Sequence, residues 1–316
     1  KNFILILNLF DFYFTNGLSL HYVKDNSIKK IDAREVIEPL MMTTSIKLLS
    51  DGTIKRDGGC MFGHLPKTVW ENRIVTDRKN RMTLGLNCLL VQLAGKNIII
   101  DTGVGSKEMN GLREEFAIGP SRLVKSLKNL GISANQIDIV ILTHLHFDHS
   151  GGCTKLDRTG SLVPSFPKAT HFVQRKAWVE ALNPNERFKN DYFEDNFLPI
   201  EEWNQLELMD GDYEILPGLS VLMTDGPSQG HQIVMMNHGG ERVAFMGDLV
   251  PTAHHLDLAS IPASDQFPEE TLAMKREMLS KAEKDGWLLI FSHGTDRKAG
   301  YLERYNGGSY LRPIEL

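Results

Sequence analysis

The stretch ILTHLHFDHSGG, residues 141–152, constrains this chain more than any other. Three histidines and one aspartate, His144, His146, Asp148 and His149, fall within it as H-x-H-x-D-H. They follow QIDIVILTH, where Ile137, Ile139, Val140, Ile141 and Leu142 read as a buried strand. Ionisable clusters at strand ends are where open α/β folds carry their chemistry. In an extended segment alternate side chains share a face, so His144 and His146 can reach one ion together. Asp148 and His149 are adjacent and need a tight turn to reach a second position. Gly151 and Gly152 offer the backbone freedom for such a turn. Imidazole and carboxylate bind zinc at about 2.0–2.2 Å, so the ligands of a metal site must converge closely.

The surrounding sequence reads as alternating strands and helices. LGLNCLLVQLAGKNIIIDTGVG predicts a hairpin: residues 88–93 run into Ala94-Gly95-Lys96, return through Ile98, Ile99 and Ile100, and stop at Asp101-Thr102-Gly103. TSIKLLSDGTIKRDGG predicts a short strand, a D-G turn and a second strand, with the core beginning near Thr44. Residues 120–130 place Leu123, Leu127 and Leu130 at helical spacing before the stop signal Gly131. THFVQ reads as a strand and RKAWVEAL as a helix. Strands follow around 213–215 and 219–224, then a hairpin HQIVMMN–HGGE–RVAFMGD. Residues 268–284 predict a long amphipathic helix, and WLLIF, residues 287–291, a last strand leading to Ser292-His293-Gly294.

The H-x-H-x-D-H segment resembles the signature of the metallo-β-lactamase superfamily. The resemblance implies an α/β fold, a four-layer αββα sandwich with metals at one edge between two sheets. It also implies three further ligands, each at a strand end. The matching positions are His231 after Gly230, Asp248 in Gly247-Asp248, and His293 after WLLIF. The implied set puts His144, His146 and His231 on one ion and Asp148, His149 and His293 on the other, with Asp248 bridging both. Asp101 matches a position that braces the ligand loop by hydrogen bonding. Taken singly, His231 and His293 read equally well as ordinary strand-end histidines and Asp248 as a turn former. His21, His64, His171 and His238 lack such a context and read as surface or packing residues.

Two flanking segments, DGGCMFGHLPKTVW (57–70) and GDLVPTAHH (247–255), resemble the quorum-quenching lactonase-like branch. β-Lactamases of the commonest subclass carry Cys where this chain has Asp248, and the di-iron oxidoreductase branch carries Glu where it has His146. An extra imidazole suits zinc better than iron, so the expected cofactors are two divalent metal ions, Zn2+, serving hydrolysis. The chain departs from the pattern twice. Pro227 stands where the family commonly has a histidine. Pro251 stands where lactonases of the branch place a Tyr that touches the substrate carbonyl. The polarising donor must then come from elsewhere, and Tyr192 and His255 are the candidates. The implied activity is hydrolysis of a lactone or ester, acyl-homoserine lactones included. A metal-bridging hydroxide attacks the carbonyl and Asp148 passes a proton to the leaving alkoxide. The alternatives are an organophosphate or phosphoester hydrolase on the same site, a β-lactamase-like enzyme, and a non-catalytic metal-binding protein. Met61, Phe62, Leu65 and Trp70, with Phe188, Tyr192, Phe193, Phe197 and Trp203, read either as an apolar wall for an acyl chain or as core anchors.

Bulk properties bound the partners. A net charge of −5 disfavours a sequence-independent grip on nucleic-acid phosphates. The resemblance implies a small-molecule lactone or ester as the partner. Cys60, Cys88 and Cys153 are too widely spaced for a disulfide framework or a C-x-x-C zinc site. That favours a reducing, cytoplasmic location, with export as the alternative if the N-terminal segment is signal-like. The apolar run KNFILILNLFDFYF is broken by Asp11 and falls short of the about 20 residues a bilayer span needs, so no stable membrane insertion is expected. Residues 1–43 are read as an N-terminal extension, signal-like or irregular, and residues 44–316 as one catalytic domain; a homodimer is one expected assembly.

Overall fold

Apolar alternation builds two sheets and decides which of their faces meet. The computed structural model describes residues 4–7, 10–15, 19–24, 27–32, 44–107, 111–305 and 308–316. Within the first 43 residues the described stretches are strands β1 (Ile4–Leu7), β2 (Phe10–Thr15), β3 (Ser19–Lys24) and β4 (Ser27–Asp32), paired antiparallel in that order. The side chain of His21 lies outside the described residues.

The first central sheet combines β5 (Ser45–Asp57), β6 (Arg81–Leu93), β7 (Lys96–Ile100), β8 (Ile139–Ile141), β11 (Thr170–Gln174) and β12 (Leu206–Met209) in the order 12-11-8-7-6-5. A two-stranded ribbon of β9 (Thr154–Leu156) and β10 (Leu162–Pro164) interrupts that succession. The second sheet runs in chain order: β13 (Tyr213–Leu216), β14 (Leu219–Met223), β15 (Gln232–His238), β16 (Glu241–Phe245), β17 (Leu288–Ile290), β18 (Ala299–Tyr305) and β19 (Gly308–Ile314).

Because strand side chains alternate, Ile98, Ile100, Ile139 and Ile141 face the second sheet, where they meet Val234, Val243, Phe245 and Ile290. The intervening Ile99, Val140 and Leu142 face outward. They pack against Leu123 and Leu127 of helix Leu123–Asn129 and Ala177 and Trp178 of helix Arg175–Leu182. On the far side Ile233, Ala244 and Leu289 pack on Met278 and Ala282 of helix Pro268–Asp285. The result is the expected four layers, helix–sheet–sheet–helix. Each fully buried aliphatic side chain stabilises such a layer by about 1.5–3 kcal/mol, so the apolar layers fix where the strands end.

Those ends matter for the site. β7 and β8 are parallel, and so are β16 and β17. Their C-terminal ends therefore lie at one edge, and they lead into Asp101, Thr143-His144, Asp248 and His293.

Three sequence expectations are corrected. Asp51-Gly52 is not a turn between two strands: β5 runs through it, and Asp51 and Gly52 together oppose Leu86 alone as a bulge. The buried Asp51 carboxylate accepts hydrogen bonds from the N–H groups of Arg122, Leu123 and Gly105, which turns it inward. Strand 287–291 is not the last, because β18 and β19 follow and extend the second sheet. Gly151 and Gly152 serve close approach rather than an unusual turn. Gly151 has helical φ −58, yet a Cβ there would lie 2.2 Å from the Val104 carbonyl oxygen; one at Gly152 would lie 2.2 Å from that of Thr102.

Candidate metal centre

Asp101 organises the motif before any ligand is considered. It closes β7 with φ +55, a strained value for a residue other than glycine. Its carboxylate accepts the Thr143 N–H at 2.8 Å, the Thr143 hydroxyl at 2.8 Å and the His149 Nδ1–H at 2.7 Å. One buried carboxylate thus ties the start of the motif to its end. His146 precedes the short helix Phe147–Ser150, which carries Asp148 and His149. Ser150 donates back to the carbonyls of Leu145 and His146 and holds that helix down.

The side chains converge as two trios. Ligand atoms of His144, His146 and Asp248 lie within 4.8 Å of one another, and so do those of Asp148, His149 and His293. Asp248 faces both. Its Oδ2 lies 3.8 Å from His144 Nε2, and its Oδ1 lies 3.2 Å from His149 Nε2 and 3.1 Å from His293 Nε2. The His149 and His293 Nε2 atoms are 3.1 Å apart. Both cannot point lone pairs at one spot unless a proton or a cation lies between them.

The tautomers follow from the outer partners. The His293 Nδ1–H donates to the Gly85 carbonyl at 2.8 Å, and that of His149 to Asp101, leaving each Nε2 for the centre. The His293 loop is held against β6, where the Asn87 amide donates to the carbonyls of Phe291 and Gly294.

Electrostatics mark the same spot as one that wants positive charge. Burial works against a charged His149, but Asp248 and Asp101 outweigh it and raise its pKa well above the usual histidine value. Burial likewise opposes the Asp248 charge, yet His149 and His293 hold its pKa well below the carboxylate range. Burial pushes His144 well down, so it stays neutral with a lone pair to offer. His144 Nε2, His146 Nε2 and Asp148 Oδ1 are all buried without a hydrogen-bond partner. Orphaned buried donors and acceptors are costly. Two orphaned imidazole nitrogens in the first trio, and an orphaned carboxylate oxygen beside two close imidazole nitrogens in the second, fit two divalent cations.

His231 stands beside this arrangement, its ring 5.2 Å from that of His144. Its Nε2 accepts the Asp248 backbone N–H at 2.9 Å, while its Nδ1–H donates to Thr224 at 2.6 Å. The lone pair a metal would need is therefore present but engaged, and it falls outside the His144–His146–Asp248 trio. Burial lowers its pKa to about 3, keeping that lone pair free of a proton.

The two candidate carbonyl donors separate. His255 is fully buried, and both of its ring nitrogens are taken: Nε2–H donates to the Met61 carbonyl at 2.9 Å, and Nδ1 accepts the Thr252 hydroxyl at 2.8 Å. It stacks on Phe62 with ring centres 5.0 Å apart. This corrects its assignment as a catalytic candidate, since it fastens two loops together and has no N–H to spare. Tyr192 meets the His146 ring edge-on at 5.0 Å, with the Gln266 amide 3.5 Å from its hydroxyl. Burial, then Glu180, raises its pKa, so it keeps its proton and can donate.

The expected apolar wall is mostly core. Met61, Phe62 and Trp70 are buried among Ile54, Met82, Leu84 and Phe147, beneath the ligand loop. Phe188, Tyr192 and Phe197 pack into the helix-covered face of the first sheet, and Trp203 is exposed. His171 is buried, as a packing residue would be. Sequence reading missed Arg56, whose guanidinium lies 3.5 Å from Asp148 Oδ2. It comes from β5, and no local pattern marks it. Asn87 and Gly85 were missed for the same reason.

Residues 83–293 match the model of the Metallo-beta-lactamase superfamily, a span that reaches from β6 to His293. The chain belongs to that superfamily. An N-acyl homoserine lactonase from Bacillus thuringiensis is 26% identical over 253 residues, 76% of this chain and 92% of that protein. A solved Staphylococcus aureus protein, described as a probable metal-dependent hydrolase, is 30% identical with a TM-score of 0.77, covering 86% of this chain and 98% of that one. A dizinc quorum-quenching lactonase, solved in complex with a product, shares the fold at 19% identity and a TM-score of 0.71, over 86% of this chain and 95% of that one. The homologues and structural neighbours of this chain are metal-dependent hydrolases, lactonases among them. Among the described residues no helix is long and apolar enough to cross a membrane.

Proposed function

We propose that this member of the superfamily is a two-metal hydrolase that opens lactones, with N-acyl homoserine lactones as the leading substrate class. One observation carries the reading: Asp248, a member of the first trio, turns Oδ2 toward His144 and Oδ1 toward His149 and His293 of the second, while His144 Nε2, His146 Nε2 and Asp148 Oδ1 are buried without a hydrogen-bond partner. His144, His146, Asp148, His149, Asp248 and His293 would hold the ions, and His231 would join the first trio by giving up the Asp248 N–H. Two bound Zn2+ ions would supply a water acidic enough to ionise near neutral pH and a Lewis acid for the carbonyl oxygen.

The protein's own groups do the rest. Asp148 is buried, yet Arg56, His149 and His293 lower its pKa and keep it ionised. Its unpartnered Oδ1 can accept a proton from the attacking water and return it to the leaving alkoxide. Tyr192, protonated and against His146, is the hydrogen-bond donor for the substrate carbonyl in place of the missing Tyr at Pro251.

Hydrolysis of a panel of acyl-homoserine lactones, simple esters and an aryl phosphotriester by zinc-loaded protein tests the reading. Lactones with the highest kcat/KM are expected. A phosphotriester turned over at least as efficiently would move the substrate class to organophosphates, and no turnover of any of them would remove the catalytic reading.

A further inference from the structure

Arg56 joins two parts of the molecule that the ligand motif leaves unconnected. It stands near the end of β5, with its side chain only 15% exposed. One edge of the guanidinium faces Asp148, with Nη2 3.5 Å from Oδ2. The other faces Asp191, with Nη1 3.8 Å from Oδ1. The cation lies over the rings of Phe116, at 4.9 Å, and Phe147, at 5.3 Å. Phe147 belongs to the ligand helix between His146 and Asp148, and Asp191 immediately precedes Tyr192, whose ring meets His146.

From this geometry we infer that Arg56 is a positioning residue that couples the substrate-side loop to the metal centre. By holding Oδ2 of Asp148 it leaves Oδ1, which has no hydrogen-bond partner and lies 4.0 Å from His149 Nε2, to face the proposed ions. By holding Asp191 it fixes the loop that presents Tyr192. A planar guanidinium can face two carboxylates at once and stack on aromatic rings, whereas a lysine ammonium on its flexible stem cannot reproduce both. Without the cation, the buried Asp148 carboxylate and the half-buried Asp191 carboxylate would both lose the charge that lies beside them.

The inference rests on the two-ion reading, and zinc titration of the metal-free full-length chain separates the two. Wild type that binds fewer than two ions would defeat the two-ion reading itself. Given two ions in wild type, Arg56→Met should weaken the ion held by Asp148, His149 and His293 about 10–100-fold, with the other ion retained. Asp191→Asn should leave zinc affinity at the wild-type value and lower kcat several-fold, as a misplaced Tyr192 hydroxyl would. Arg56→Lys should recover part of the zinc affinity and none of that kcat effect. If Arg56→Met fails to fold, the Arg56→Lys and Asp191→Asn pair still decides. Wild-type zinc affinity and kcat in these variants would overturn the inference.

Discussion

The two trios that share Asp248 are prepared to different degrees. Around Asp148, His149 and His293 almost every outer atom is fixed: Asp101 and the Gly85 carbonyl take the two Nδ1–H groups, Arg56 takes one Asp148 oxygen, and Asn87 ties down the His293 loop. Around His144, His146 and Asp248 the support is thinner. His144 is backed by the Thr143 hydroxyl at 3.1 Å, and His231 is turned to a backbone N–H. Outer-shell hydrogen bonds orient ligands and raise their basicity. The difference teaches that one half of the site is held in place by its outer partners, while the other would be completed, on the proposed reading, only if His231 gave up the Asp248 N–H. The account therefore expects unequal affinities, tighter at the His149–His293 half.

The largest test removes what the halves share. Asp248→Ala should lose both ions and lower kcat/KM by about 10³-fold or more, read by elemental analysis and lactone hydrolysis. Next comes the brace of the prepared half. Asp101→Asn keeps the shape but loses the carboxylate that orients His149, and should weaken the tighter ion about 10–100-fold while sparing the weaker one. Equal weakening of both would erase the distinction between the halves. Tyr192→Phe keeps the ring against His146 and removes only the hydroxyl: zinc content should be unchanged and kcat should fall about tenfold, the worth of one transition-state hydrogen bond.

The smallest effect is on stability, at Asp265, which belongs to neither trio but feels the charge of Asp248. Burial raises the Asp265 pKa to about 7, against a hydrogen bond from Thr271 that works to lower it. Between its ordinary 3.8 and that value the folded state holds a proton the unfolded chain has released. Stability is therefore lost as pH rises across this window and is constant above it. Asp265→Asn removes the effect, so its Tm should exceed that of wild type at pH 7.5, with the gap closing near pH 4.

Much of the site was legible because its ligands sit where apolar runs stop. QIDIVILTH and RVAFMGD end at the candidate ligands His144 and Asp248, and WLLIF stops two residues before His293, since parallel strands deliver their C-terminal ends to one edge. The brace at Asp101 was legible for the same reason. What was not legible came from across the fold. Arg56 lies 92 positions before Asp148 in sequence, and a lone arginine in a strand carries no pattern. Asp51-Gly52 has the composition of a turn and forms a bulge, because its carboxylate finds N–H partners on a distant helix. His255 has the look of a site residue and is a fastener, since only the folded chain shows that both of its nitrogens are engaged. The His231 hydrogen bond to Asp248 is likewise a matter of geometry that spacing does not carry.

The most direct measurement is a stepwise zinc titration of the metal-free chain, with lactone hydrolysis read at each addition. The account predicts two unequal binding steps ending at two ions per chain, with activity emerging in the second. A single step ending at one ion per chain with full activity would contradict it.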